Sequence, residues 1–182
     1  MIFTLREYKL KNNEICSIRS AKGSDAEDII KCRKETTSET DFLLTYPEEV
    51  DTDVQKTAEY LEKIEKAANK LFLSVHINGN MAGMCNIVPI SERIKVKHRA
   101  TFGITVKKEF WKMGIGNLLM TEIIENAKKM GYEQIELEVY SDNRRALNLY
   151  EKFGFEKWGC IPNGYKLKDQ TYNNCIKMGK IL

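Results

Sequence analysis

Three short stretches carry the residues whose type and spacing could do chemistry. The first is F-W-K-M-G-I-G-N, residues 110–117, with Lys112 just ahead of Gly114 and Gly116. An apolar run, 100–106, leads in, and a pattern of helical period, 118–130, leads out. A glycine-containing turn from strand to helix leaves backbone N–H groups aimed at solvent, at the positive end of the helix dipole. Such a turn is an anion site, and phosphate is the usual anion. Glycine there keeps a Cβ out of the approach. Taken alone, G-x-G is equally an ordinary tight turn. A dinucleotide fingerprint would need a third glycine where Leu119 stands, and a P-loop would need Lys-Ser/Thr where Asn117 follows Gly116. The second stretch, 134–140, alternates strictly. Gln134, Glu136, Glu138 and Tyr140 face one way, and Ile135, Leu137 and Val139 the other. A strand after a crossover helix is normally apolar on both faces, so its polar face borders a cleft or is a solvated edge. A carboxylate in a cleft is a candidate general base. The third stretch is N-R-R-A-L-N-L-Y-E-K-F-G-F, 143–155. Asn143 caps a helix, and Tyr150 lies about two turns further along nearly the same face. Its phenol is a candidate proton donor, or else its ring is packing.

These stretches need elements to position them. The chain of 182 residues suits one domain with a substantial core, 1–182, of which 1–14 form an N-terminal strand or hairpin extension. Hydrophobic content of 42% and charged content of 30% are ordinary for a globular protein. No apolar run approaches the roughly twenty residues of a membrane span, and the opening residues are too charged for a signal-peptide core. A net charge of +3 makes no case for nucleic acid. The five cysteines include no C-x-x-C, which argues against a disulfide framework or a zinc site and for free thiols in a reducing cytoplasm. His76 and His98 read as surface or satisfied histidines.

The coarse order of elements is a loose strand over 2–10, a strand over 15–19, and a helix opened by a Ser24/Glu27 capping box and ending before Thr36. A loop over 37–51 holds the apolar knot Phe42, Leu43, Leu44 and Tyr46. A second capping box, Thr52/Gln55, opens a helix over 53–69. Strands over 71–77 and 81–88 flank Asn78-Gly79, a strong hairpin signal. A strand over 99–106, a helix over 117–130 closed by Gly131, and the strand over 134–140 follow. Arg144 to Phe153 is a helix closed by Gly154. A strand starts at Phe155, a loop surrounds Pro162-Asn163-Gly164, and the last strand is 175–181. Strand–helix alternation with terminal hairpins predicts an α/β protein with a mixed sheet flanked by helices.

The loop K-M-G-I-G-N-L-L and the stretch 143–155 together resemble the GNAT superfamily of N-acetyltransferases, which use acetyl-coenzyme A. That family's phosphate motif is Gln/Arg-x-x-Gly-x-Gly/Ala, and its later motif is Asn-x-x-Ala-x-x-Leu-Tyr-x-x-x-Gly-Phe. The later motif is met at Asn143, Ala146, Leu149, Tyr150, Gly154 and Phe155, whereas Trp111 stands at the Gln/Arg position. The likeness extends in element order over about residues 15–160. It implies a mixed central sheet of about seven strands whose parallel neighbours, 99–106 and 134–140, splay apart around a pantetheine arm. Backbone groups of Ile104, Thr105 and Val106 would pair with that arm. Amides of Lys112, Met113, Gly114, Ile115, Gly116 and Asn117 would hold the pyrophosphate, with the Lys112 side chain standing in for the missing Gln/Arg. Asn143 would bond the cofactor or a water, with Ala146 and Tyr150 beside it. The segment L-E-V-Y-S-D-N also looks like the ribosomal-protein alanine acetyltransferase branch, which places a general base at Glu138, with Glu136 or a water relay as alternatives. Tyr150 would protonate the departing thiolate. Phe42 and Tyr46 would border the acceptor. The implied reaction is direct transfer to a primary amine, borne by a small molecule or a protein N-terminus, with no metal, nucleic acid or membrane involved. A homodimer is left open. The alternative is a non-catalytic acyl-CoA-binding sensor.

Overall fold

The computed structural model describes residues 2–182. The strands are β1 (Arg6–Lys9), β2 (Ile15–Ser20), β3 (Leu71–Ile77), β4 (Asn80–Pro89), β5 (Arg99–Val106), β6 (Gln134–Tyr140), β7 (Glu156–Lys166) and β8 (Tyr172–Ile181). The helices are α1 (Ala26–Ser38), α2 (Val54–Lys66), α3 (Ile115–Lys129) and α4 (Arg144–Lys152). All the strands join one eight-stranded sheet in the order β1-β2-β3-β4-β5-β6-β8-β7, and the β5–β6 pair is parallel. The sheet has one strand more than the seven the resemblance implies, and its eight strands fall on the eight strand segments read from the sequence. Pro162-Asn163-Gly164 is not a loop but lies inside β7, where the register shifts between Ile161 and Tyr165. β7 is the sheet's edge. A proline without an N–H is tolerated on an edge strand, as is an irregular residue, Asn163, at φ 53°.

Helix ends differ from the sequence reading for local reasons. Asp25, not Ser24 with Glu27, holds the start of α1, accepting the Lys22 N–H at 2.8 Å and the Arg19 guanidinium at 2.6 and 2.7 Å. α1 runs on through Thr36, Thr37 and Ser38, whose hydroxyls turn back to carbonyls of the preceding turn instead of opening a loop. Thr36 bonds to Cys32 at 2.8 Å and Thr37 to Arg33 at 2.8 Å. Asp53, rather than Thr52, caps α2 by accepting the Lys56 N–H at 2.9 Å. α3 and α4 both close in Schellman turns. Gly131 and Gly154 take φ of 80° and 78°, and the following residues, Tyr132 and Phe155, donate to Ala127 and Tyr150.

Alternation along the strands divides the core between two faces. Ile29, Cys32, Leu61 and Ile64 of α1 and α2 pack on Phe72, Met81 and Met84. Leu119, Met120 and Ile123 of α3, with Leu147 of α4, pack on Leu73, Val75, Cys85 and Ile87. Each fully buried aliphatic contributes about 1.5–3 kcal/mol. Glu122, buried on α3, accepts from Arg6 at 2.9 Å and from the Tyr8 hydroxyl, fastening β1 to this face.

The feature that matters for function is a split in the sheet. β5 and β6 pair only over Arg99–Thr101 and Gln134–Glu136. Beyond that they diverge, each still bonded to its outer neighbour, β4 or β8. Arg99 and Glu136 form a bidentate clasp at the root of the split, Nε–Oε1 at 2.5 Å and Nη2–Oε2 at 2.7 Å.

Candidate active site

A cavity of about 670 Å³ opens in this split. Its floor is the turn from β5 into α3. Lys112 has φ 66° and Gly114 has φ 97°. Left-handed residues thus alternate along the turn and point successive N–H groups into one concavity. Among the described residues, the N–H groups of Lys112, Met113, Gly114, Ile115 and Gly116 have no protein acceptor. The amide of Asn117 is not part of this cradle: it donates to the Gly114 carbonyl at 3.0 Å. The two glycines act differently. Gly114 is needed for its backbone angle. A Cβ on Gly116 would instead press on Leu149 Cδ2 at 3.3 Å, so Gly116 lets α3 and α4 approach closely.

The wall from β5 presents alternate backbone groups. The β4–β5 ladder is bracketed by Ile90 N–H to the Arg99 carbonyl and Lys107 N–H to the Ala82 carbonyl, with unbroken register between. Odd-numbered residues of β5 therefore spend their backbone groups on β4. Ile104 and Val106 turn theirs to the split, and Thr105 does not. The Val106 carbonyl already accepts the Trp111 indole N–H at 2.7 Å.

Trp111 has a second contact, which sequence reasoning missed. The Arg145 guanidinium lies over its ring, 4.3 Å from the centroid. Arg145 lines the cavity and has no ion-pair partner among the described residues. Lys152, one helical turn beyond Asn148 on α4, also lines it and donates to Asn117 Oδ1 at 2.6 Å. With Lys11 and Lys112, four cations line a cavity whose carboxylates are Glu39 and Glu138. The available signal for Arg145 was its place between Asn143 and Ala146. Nothing in the sequence pairs it with Trp111.

Asn143 caps α4, its Oδ1 accepting the Ala146 N–H at 3.1 Å. Asn143, Ala146 and Tyr150 all line the cavity. The Tyr150 ring is fixed edge-on to Phe102, centroids 5.9 Å apart, and against Phe155 at 6.0 Å. Its hydroxyl makes no hydrogen bond among the described residues. Burial pushes the phenol up to about 12, so it keeps its proton at neutral pH. Glu138 lines the cavity, half exposed, with Lys177 Nζ at 3.1 Å. Glu136 is committed elsewhere. Burial opposes its charge, but the bonds from Arg99 and Gln134 outweigh that and hold its carboxyl below the usual range.

Phe42 also lines the cavity and tilts against Tyr140 at 5.9 Å, and Tyr140 stacks on Tyr165 at 3.8 Å. Tyr46 does not line the cavity. Its hydroxyl accepts the Lys168 N–H at 3.0 Å and its ring lies under the Lys168 ammonium, tying the 37–51 loop to the β7–β8 turn. Neither histidine lines the cavity.

The site is an amide cradle at the head of a helix, unpaired among the described residues, that opens into a gap between parallel strands, a geometry suited to an anion on an extended ligand. The family model described as the acetyltransferase (GNAT) family matches residues 36–155, and the chain belongs to that family. An acetyltransferase of GNAT family from Streptococcus pneumoniae superposes with a TM-score of 0.88 at 28% identity, covering 92% of this chain and 99% of that one. The L-amino acid N-acetyltransferase AaaT of Escherichia coli K12 is 32% identical over 106 residues, 58% of this chain and 64% of that protein. The ribosomal protein bS18-alanine N-acetyltransferase of the same organism is 28% identical over 92 residues, 50% of this chain and 59% of that protein. The chain thus spans less than two thirds of the length of these two relatives. The fold is shared with yncA from Salmonella typhimurium, whose structure is described with its cofactor acetyl-CoA, at a TM-score of 0.79 and 19% identity.

Proposed function

We propose that the chain transfers an acetyl group from acetyl-coenzyme A to a primary amine by direct attack. The observation that carries this reading is the cradle of free N–H groups from Lys112 to Gly116, set at the mouth of the β5–β6 split. The residues fit the cofactor. The cradle receives a diphosphate, with the positive end of α3 behind it. Arg145, held on Trp111, supplies a donor in place of the Gln/Arg that the family motif carries at position 111. The free backbone groups of Ile104 and the remaining capacity of Val106 pair with an extended amide-bearing arm as a further strand would.

Acetyl-coenzyme A supplies the activated acyl group, and the chain manages protons and charge. An alkylamine with pKa near 10 is mostly protonated at neutral pH. Glu138, on the cavity wall, takes that proton before the freed amine attacks the thioester carbonyl. The Ile104 or Val106 N–H stabilises the charge that develops on the carbonyl oxygen. Tyr150, still protonated, gives its proton to the departing sulfur. Phe42 borders the acceptor, and Tyr46 holds the loop that carries it. The two named relatives are N-acetyltransferases of an L-amino acid and of a ribosomal protein's alanine, which supports an amine acceptor. Five unpaired cysteines, four of them buried, fit a reducing compartment such as the cytoplasm.

Calorimetry with acetyl-coenzyme A, followed by thiol release on adding a panel of amines, tests the proposal. Binding together with amine-dependent release is expected. Binding without turnover on any amine favours the acyl-CoA sensor, and absence of binding overturns both.

A further inference from the structure

A second cavity, about 380 Å³, adjoins the first between α1 and the 37–51 loop. The two share a wall made of Thr36, Leu43, Leu44 and Thr105, and Thr105 belongs to the strand that borders the split. A molecule seated in the second cavity therefore has one end against the chamber in which transfer takes place.

The charges lining the two cavities are unevenly committed. Glu39 accepts the Lys108 N–H at 2.8 Å. Glu49 accepts the Tyr46 N–H at 2.8 Å, and Asp51 is paired with Lys56 at 2.5 Å. Glu138 is paired with Lys177 at 3.1 Å. Arg33 is the cation on the second cavity's lining, and its charge acts on Asp51 without forming an ion pair with it. It is partly buried, its guanidinium lies 5.8 Å from the Phe72 ring, and it has no ion pair among the described residues. The Thr45 hydroxyl, also on the lining, makes no hydrogen bond there. A guanidinium presents a planar fork of donors matched to a carboxylate or phosphate.

We infer that the acceptor is a small amine that also carries an anionic group, a free α-amino acid being the simplest case, and that Arg33 binds that group. A polyamine would set a second ammonium against the Arg33 guanidinium. A peptide N-terminus would set a neutral amide where the free cation stands. The inference rests on the acetyltransferase reading above, and it narrows the acceptor that reading leaves open.

The test compares free amino acids with their own α-amides, which differ only at the carboxyl group. The amide's amine is the weaker base, with a pKa of about 7.7–8 as in peptides, so more of it is unprotonated at neutral pH. Reactivity alone therefore favours the amide, and a preference for the acid reports binding. With the full chain, kcat/KM for the acid is expected to exceed that for the amide by about 10- to 100-fold, the worth of a charge-assisted hydrogen bond. Arg33→Ala is expected to erase that ratio through KM, and Arg33→Lys to keep part of it, with acetyl-coenzyme A affinity by calorimetry unchanged in both. Equal or better turnover of the amide, of a polyamine or of a tripeptide by the wild type overturns the inference, whatever the variants do. So does an acid-to-amide ratio that survives Arg33→Ala. Failure of the wild type to bind acetyl-coenzyme A removes the acetyltransferase reading itself, which separates the two failures.

Discussion

Removing the Arg145 side chain should weaken acetyl-coenzyme A binding without disturbing the fold. Among the described residues the guanidinium forms no ion pair. It lies over the Trp111 ring at 4.3 Å and lines the same cavity as the amide cradle. A charge-assisted hydrogen bond is worth about 1.5–3 kcal/mol. Arg145 is exposed. Solvent screening therefore places the expectation at the lower end, about 1–2 kcal/mol, or roughly 5- to 30-fold in Kd. The effect should shrink with salt, being larger at about 0.01 M than at about 1 M, where the Debye length falls from about 30 Å to about 3 Å. Arg145→Lys keeps the charge but not the flat stack and should lie between. Adding Trp111→Arg to Arg145→Ala returns a cation to the family's usual position and should recover affinity. The Lys112 side chain is solvated. Lys112→Ala should matter less, by no more than about 0.5 kcal/mol, the usual scale for a surface substitution. Isothermal calorimetry on the four variants, with circular dichroism as a fold check, decides. If Arg145→Ala binds like wild type at low salt, the Trp111–Arg145 stack is only structural, and the departure at position 111 goes uncompensated by α4.

Tyr150→Phe keeps the ring between Phe102 and Phe155 and removes the O–H. Its kcat should fall about 10²–10⁴-fold with acetyl-coenzyme A affinity and melting temperature held. An unchanged kcat, with chemistry shown to be rate-limiting, would return Tyr150 to packing. Glu138→Gln should lower kcat and be partly relieved at high pH, where free amine is plentiful. Glu136→Gln should spare kcat but leave Arg99 without its carboxylate. That loss should cost about 1–2 kcal/mol of stability, the scale of a hydrogen bond to a charged group. Because the folded state holds Glu136 below its ordinary range, that stability is present above the unfolded pKa of about 4.3 and lost as pH falls through the folded value. Chemical denaturation of wild type and Glu136→Gln should therefore converge at acid pH. His76 is also depressed, first by burial and then by Arg19, and its Nε2 is buried with no hydrogen-bond partner among the described residues. Its contribution is intact above about pH 6.5 and is lost as pH falls below that value, so His76→Asn should flatten the loss of stability measured by urea titration between neutral and mildly acid pH.

Local chemistry was legible along the chain. Gly131 and Gly154 sit where the helical patterns stop, and both take the left-handed angles those positions require. The period of 118–130 and the alternation of 134–140 depend only on which residues are apolar, and α3 and β6 follow them. Asn143 capping and the Gly114 turn likewise rest on short-range geometry. The run of α1 to Ser38, with its threonine hydroxyls turned back on the helix, and the edge position that lets β7 run through Pro162 were not legible, since each depends on a bond or a neighbour that the residue types leave optional. The site divides in the same way. Two motifs named the cradle and the α4 residues. The roles of Glu136 and Glu138 were indistinguishable, because both lie on one face of one strand. Their surroundings differ only in the tertiary structure, which sets Arg99 against the first and the open cavity, with Lys177, against the second. The stack of Arg145 on Trp111, the loss of the Asn117 amide from the cradle and the free Arg33 depend on how the folded chain arranges its turns and neighbours. Periodicity and capping act over a few residues and can be read one segment at a time. Which charge meets which partner is settled only when the sheet order brings distant segments together, and here that order left one strand pair open and, among the described residues, two guanidinium groups on the adjoining cavities without an ion pair.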